Sequence, residues 1–153
     1  MKIKTHEDIE ATIDQVFEAL TDFESFELAA LRRGAEVHRT DTLPQPAKGM
    51  GWQAKFIHRN RERMADIIVE DFDRPNHLRV WSKVSGLNVE LDAELLPLSR
   101  NRTRMTMIVD MRPKTIPARL LIQSLKLARG TMLRRFRKRI AEFAATIESR
   151  YRT

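Results

Sequence analysis

A chain of 153 residues, 42% apolar and 32% charged, has a globular composition, and its length sets a prior of one domain, read as a single unit over 1–153. It has no cysteine, which excludes a disulfide scaffold, a zinc–cysteine site and a thiol nucleophile. The formal charge of +7 is uneven: twelve of the 28 Lys/Arg but two of the 21 Asp/Glu fall from Arg112 onward, so a basic C-terminal segment follows a slightly acidic remainder.

The elements follow in chain order. Lys2–Ala11 reads as a first strand. Thr12 is placed to cap a helix, with Gln15 three residues on completing a capping box, and Ile13, Val16, Phe17 and Leu20 follow at helical spacing. The pattern breaks at Thr21-Asp22 and resumes with Phe23, Phe26, Ala30 and Leu31 until Gly34 ends it. Two short consecutive helices are therefore predicted. Strands are predicted over Ala35–Leu43, Met50–Arg59, Glu62–Asp73, His77–Ser85, Leu87–Leu98 and Thr103–Met111, with a Pro44–Gly49 loop and an Arg74-Pro75-Asn76 turn between members of the series. The alternation is cleanest in the last two, where Val89, Leu91, Ala93 and Leu95, then Met105, Met107, Val109 and Met111, share one face. Pro113 ends the sheet region. At about 100° per residue, Leu121, Leu125, Ala128, Met132, Phe136, Ile140, Phe143 and Ile147 fall in one arc of a long amphipathic helix. Short loops imply an antiparallel meander, and that helix is the element available to cover its apolar face. No run of about 20 apolar residues is present, and Met1–Glu10 lacks the apolar core of a signal peptide, so a cytoplasmic protein is expected.

Several local motifs accompany this order. They are Ile9-Glu10-Ala11-Thr12-Ile13-Asp14-Gln15-Val16-Phe17 running into Leu20-Thr21-Asp22, then Gly49-Met50-Gly51-Trp52, and the Phe72-Asp73-Arg74-Pro75 corner before a strand at Leu78. With these motifs the chain resembles the START/Bet v 1-like superfamily (SRPBCC, polyketide cyclase-like proteins) over nearly its whole length. The resemblance implies an α+β helix-grip fold: a curved antiparallel sheet of about seven strands, two short helices after the first strand, and the sheet wrapped around a long C-terminal helix with a deep apolar cavity between them. Members bind lipids, sterols, quinones, polyketides or plant hormones, and a minority are cyclases or oxygenase domains. A cavity is thus implied more firmly than a reaction.

The residues that could carry chemistry are few. No nucleophile elbow, HExxH, phosphate-cradling loop or dinucleotide fingerprint is present, and none of the four histidines is paired at metal-ligand spacing, so no metal and no cofactor are expected. Glu90, Asp92 and Glu94 alternate on the outer face and are expected in solvent. His58, on the face of Trp52, Ala54 and Phe56, and Asp66, which interrupts an apolar run, are the candidate general bases. Arg129 computes into the apolar arc, where it must snorkel, pair with a carboxylate or meet a ligand anion. Trp81 is read at the cavity mouth. The run Arg134-Arg135-Phe136-Arg137-Lys138-Arg139 is a solvated helix face or a docking patch. It carries no aromatic platform for base stacking, which argues against nucleic acid.

Three functions stay open. The first is a binding protein for a small or medium hydrophobic ligand (lipid, quinone or polyketide-like), lined by Trp52, Phe56, Leu78, Val80, Val89, Leu91, Met105, Met107, Leu121, Leu125, Arg129 and Met132. The second is a cyclase or hydrolase on an aromatic or polyketide-like substrate, which requires His58, Asp66 or Arg129 inside the cavity. The third is an interaction module that meets an anionic membrane, an acidic partner or a ribonucleoprotein surface through Arg134, Arg135 and Arg137.

Overall fold

The computed structural model describes residues 1–152. Strand β1 (Lys2–Ile9) is followed by helices α1 (Ile13–Leu20) and α2 (Phe23–Arg32). Strands β2 (Glu36–Arg39), β3 (Gly51–His58), β4 (Arg61–Asp73), β5 (His77–Val84), β6 (Leu87–Ser99) and β7 (Arg102–Pro113) come next, then helices α3 (Ile116–Leu127) and α4 (Arg129–Tyr151). The strands form one antiparallel sheet in the order β1-β7-β6-β5-β4-β3-β2. Every neighbour except the β1–β7 pair is sequential, which makes this the predicted meander with its first strand closing onto the last. The sheet and the helices packed on it form the expected α+β helix-grip arrangement.

Local chemistry explains the joints. Thr12 and Gln15 form the predicted capping box: the Gln15 amide donates to Thr12 Oγ1 at 3.2 Å and the Thr12 amide to Gln15 Oε1 at 3.0 Å. Asp22 caps α2 by accepting from the Ser25 amide and hydroxyl. Gly34, at φ +90°, ends α2 in a Schellman arrangement, its amide bonding Leu31 O while the Ala35 amide reaches Ala30 O. The β3–β4 and β5–β6 hairpins turn on Arg59-Asn60 and Ser85-Gly86, all four residues at positive φ as a two-residue type I′ turn requires. Register shifts at Val69/Asp71 in β4 and Pro97/Ser99 in β6 interrupt the ladders, the kind of irregularity that increases local twist and bends a sheet.

The main core lies between the inner sheet face and α1, α2 and α4. Ile9, Phe17, Val69, Met105 and Ile147 are among its most buried members. Thr103, fully buried, donates from Oγ1 to Ala11 O at 2.9 Å and ties β7 to the β1–α1 corner. A second, smaller cluster forms where α3 meets the other end of the sheet. There Ala118 and Ile122 are buried with Leu87, and Met1, Val89, Met111 and Leu125 pack against them.

Two expectations are corrected. The C-terminal helix is not continuous. Ala128, at φ −101° and ψ 21°, ends α3 and begins α4. The buried positions on either side of the break, Ala118 and Ile122 in α3 and Ile140, Ala144 and Ile147 in α4, still fall in one arc at about 100° per residue. In α3 the buried positions are Ala118 and Ile122, whereas the predicted Leu121 is 43% exposed. The strand expected over Ala35–Leu43 is four residues long. Asp41 ends it by accepting from the amides of Leu43 (2.9 Å) and Gly51 (2.8 Å) and pairing with Arg39. The Arg39 hydrogen bond first, and then these amides, hold the Asp41 carboxyl well below the usual carboxylate range.

Candidate ligand cavity

A cavity of about 380 Å³ opens between α2 and the inner face of the sheet. Cross-strand rows explain its floor. Leu78, Ala93 and Met107 are opposite one another on β5, β6 and β7, and Val80 and Leu91 form the next row. Trp52 and Ile67 pair across β3 and β4, with Ala54 and Val37 paired beside them. The roof comes from α2. Phe23, Phe26, Glu27 and Ala30 recur at i, i+3, i+4 and i+7, which puts all four on one helix face. Leu20 of α1 and Phe143 of α4 complete the wall.

The lining is hydrocarbon except at one place. Trp52 Nε1 donates to Glu27 Oε1 at 2.7 Å, a bond between the floor and the roof. Glu27 is the one ionisable residue among the fifteen lining residues. Trp52 is held by further contacts. The Phe23 ring meets it edge-on at 5.1 Å between centroids, and the Arg39 guanidinium stands 5.9 Å from its ring centre. Arg39 is itself clamped by Asp41, whose hydrogen bond raises its pKa, with the nearby charge of Glu27 adding to the effect. A carboxyl that accepts one indole N–H keeps further acceptor sites, so this group can also receive a ligand hydroxyl or amine.

The predicted apolar lining residues divide into four sets. Trp52, Leu78, Val80, Leu91 and Met107 line the cavity. Phe56, half-buried, lies further along β3 toward the hairpin, and Met105 is fully buried in the core and does not reach the cavity surface. Val89 and Leu125 belong to the second cluster at the α3 end, because the Val89–Met111 row lies beyond the cavity floor. Met132 is half-buried on α4 and Leu121 is exposed on α3; neither touches the cavity.

The candidate polar residues are all elsewhere. His58 is exposed at the tip of β3. Asp66 is exposed on the outer face, accepting from Gln53 Nε2 at 3.3 Å. Arg129 is exposed and donates from Nη2 to the Lys2 carbonyl at 3.1 Å. It keeps the phase of the apolar arc, but at the α3–α4 break the chain around it is exposed. None of the three lines the cavity. Trp81 is likewise on the outer face, beside Glu90, Asp110 and Arg112, not at the cavity mouth. Of the outer-face carboxylates, Glu94 is solvated as expected, but Glu90 and Asp92 are half-buried and paired with Arg79. Asp92 also meets His77 Nε2 at 2.7 Å, and His77 Nδ1 contacts Asp71.

Glu27 was missed, although a signal was present. Phe23, Phe26 and Ala30 define an apolar face of α2, and Glu27 falls within that arc. Which side of α2 covers the sheet, and that α2 rather than the C-terminal helix forms most of the roof, needed the fold.

No family model matches the sequence, and no curated protein matches it. Solved structures do match its fold. The Zhui aromatase/cyclase from Streptomyces sp. R1128 superposes with a TM-score of 0.67 at 13% identity, covering 100% of this chain and 96% of that one. Norcoclaurine synthase from Thalictrum flavum, solved with dopamine and hydroxybenzaldehyde, gives 0.64 at 11% identity over 100% and 88% of the two chains. A START superfamily protein from Mycobacterium smegmatis gives 0.57 at 10% identity over 88% and 95%. At these identities the likeness is one of fold, and the fold is the START/Bet v 1-like one.

Proposed function

We propose that this chain is a cytoplasmic binding protein for a medium-sized apolar ligand with at least one ring and one hydroxyl or amine. The observation that carries the reading is the Glu27–Trp52 bond inside an otherwise hydrocarbon cavity. A volume of about 380 Å³ lies within the range of small-molecule sites, roughly 300–1,000 Å³. The rings of Phe23, Phe26, Trp52 and Phe143 favour a flat, unsaturated ligand, and the Glu27 carboxyl supplies one directional contact. Selectivity comes from shape plus that acceptor: a donor-bearing ligand gains a hydrogen bond, and a ligand lacking it gains area alone. A polyketide-like phenol, a hydroquinone or an aromatic amine fits this description better than an unfunctionalised lipid tail. The fold likeness to proteins that include a cyclase, and one solved with two small aromatic compounds, supports a small-molecule site of this kind.

Native mass spectrometry of the freshly purified protein, with solvent extraction of whatever co-purifies, tests the reading. A stoichiometric aromatic adduct with a hydroxyl or amine, lost when Ala30 and Ala54 are both replaced by phenylalanine to fill the cavity, is the expected result. An adduct retained by the filled variant would place the ligand elsewhere and overturn the assignment.

A further inference from the structure

Helix α3 is apolar on two opposite faces. One face, Ala118 and Ile122, is buried against the sheet. At about 100° per residue the opposite face is centred on Ile116, Leu120 and Leu127, which are 74%, 59% and 93% exposed. A helix apolar on both sides is ordinarily covered on both. Arg119 and Lys126 run along one side of the uncovered ridge, about 80–100° around the helix from its centre. Lys114, Arg119, Lys126 and Arg129 are exposed, and from Arg112 to Arg139 the chain contains ten Lys/Arg and no Asp/Glu.

We propose that α3 docks this protein on an anionic lipid surface, with Ile116, Leu120 and Leu127 entering the acyl boundary and the flanking bases meeting the headgroups. The combination of an aliphatic ridge and a basic flank is that of an interfacial helix, whose apolar side sinks about 5–10 Å into the headgroup–acyl boundary. Charge complementarity selects this occupant. A second copy would bring two strongly basic segments face to face, which like-charge repulsion opposes. Nucleic acid would match the charge but not the ridge, which is wholly aliphatic and offers no ring for base stacking. The three ridge side chains are more than half exposed, so they can enter a deformable acyl layer.

Flotation with phosphatidylglycerol–phosphatidylcholine vesicles, against phosphatidylcholine alone, tests the proposal on the full chain. The wild type is expected to float with the anionic vesicles, to stay in solution with the neutral ones, and to be released by high salt. Leu120→Gln with Leu127→Gln removes the ridge at exposed positions and is expected to weaken binding at least tenfold. Arg119→Gln with Lys126→Gln is expected to weaken it by about fivefold per charge. Both variants should unfold at the wild-type temperature and bind a cavity ligand as wild type does, which separates this site from the cavity. No flotation with anionic vesicles would overturn the proposal. So would flotation indifferent to the leucine pair, or a dimer that the leucine pair dissolves in the absence of lipid binding.

Discussion

At the scale of single residues, the floor and roof of the cavity are joined by one part-buried hydrogen bond. Trp52 is buried and its indole N–H reaches only as far as Glu27. Glu27→Leu leaves that donor without its acceptor, and an orphaned buried donor costs about 1–3 kcal/mol. Trp52→Phe removes the donor and should make Glu27→Leu nearly neutral when the two are combined. Thermal or denaturant unfolding of the two single variants and the double variant measures the coupling. Additive losses would mean that the bond contributes nothing. The charged residues picked from the sequence failed in the site for separate physical reasons. His58 shares the strand face of Trp52, but at the hairpin tip nothing covers that face. Asp66 interrupts an apolar run because its strand alternates, and it points outward to Gln53. Arg129 keeps the phase of the apolar arc, but it lies at the α3–α4 break, where its side chain is exposed and bonds the Lys2 carbonyl.

At the scale of elements, the strands were legible because alternation is a local property with a period of two. Val89, Leu91, Ala93 and Leu95 need only a solvent side and a core side to declare themselves. The α1 capping box was legible for the same reason, since Thr12 and Gln15 meet within one turn. The floor of the cavity depends on register between strands, and no strand carries that information alone. Register also builds a feature of the outer face. His77 pairs with Glu94 in the ladder, but its ring reaches Asp92 on β6 and Asp71 on β4, pinning three strands. Burial works against the His77 charge, yet the hydrogen bonds with Asp71 and Asp92 prevail and raise its pKa above the ordinary 6.5. A raised histidine pKa contributes stability that is fully present below 6.5 and lost as pH rises through the folded-state value. Wild-type stability should therefore fall as pH rises from 6.5 toward the raised value, and His77→Gln should flatten that segment of the curve. Denaturant midpoints across this range check it; a wild-type slope identical to that of the variant would show that the three-strand pin contributes nothing.

At the scale of the whole molecule, the meander, the two short helices and a helical C-terminal cover were legible from order and spacing alone. The division of labour among the helices was not. Apolar periodicity is longest in the C-terminal segment, so that segment looked like the partner of the sheet. In the fold, α4 supplies only Phe143 to the cavity, and α2 roofs it with four residues. The break at Ala128 frees α3 to pack at the far end of the sheet and leaves its second apolar face uncovered. The molecule thus separates two surfaces: an apolar cavity with one acceptor, and a basic, aliphatic ridge outside it. Among the described residues, no helix is long and apolar enough to cross a membrane.

The most direct measurement of the central claim is quenching of tryptophan fluorescence by 2-naphthol and by naphthalene. Trp52 is in the cavity wall and Trp81 on the outer face, so Trp81→Phe isolates the signal. The account predicts saturable quenching by both compounds and tighter binding of the naphthol. Glu27→Gln, which exchanges a carboxyl acceptor for a neutral amide, should reduce that preference severalfold. Quenching should disappear in the variant filled by phenylalanine at Ala30 and Ala54. Non-saturable quenching, or saturable quenching that survives filling of the cavity, would contradict the claim that this space is the binding site.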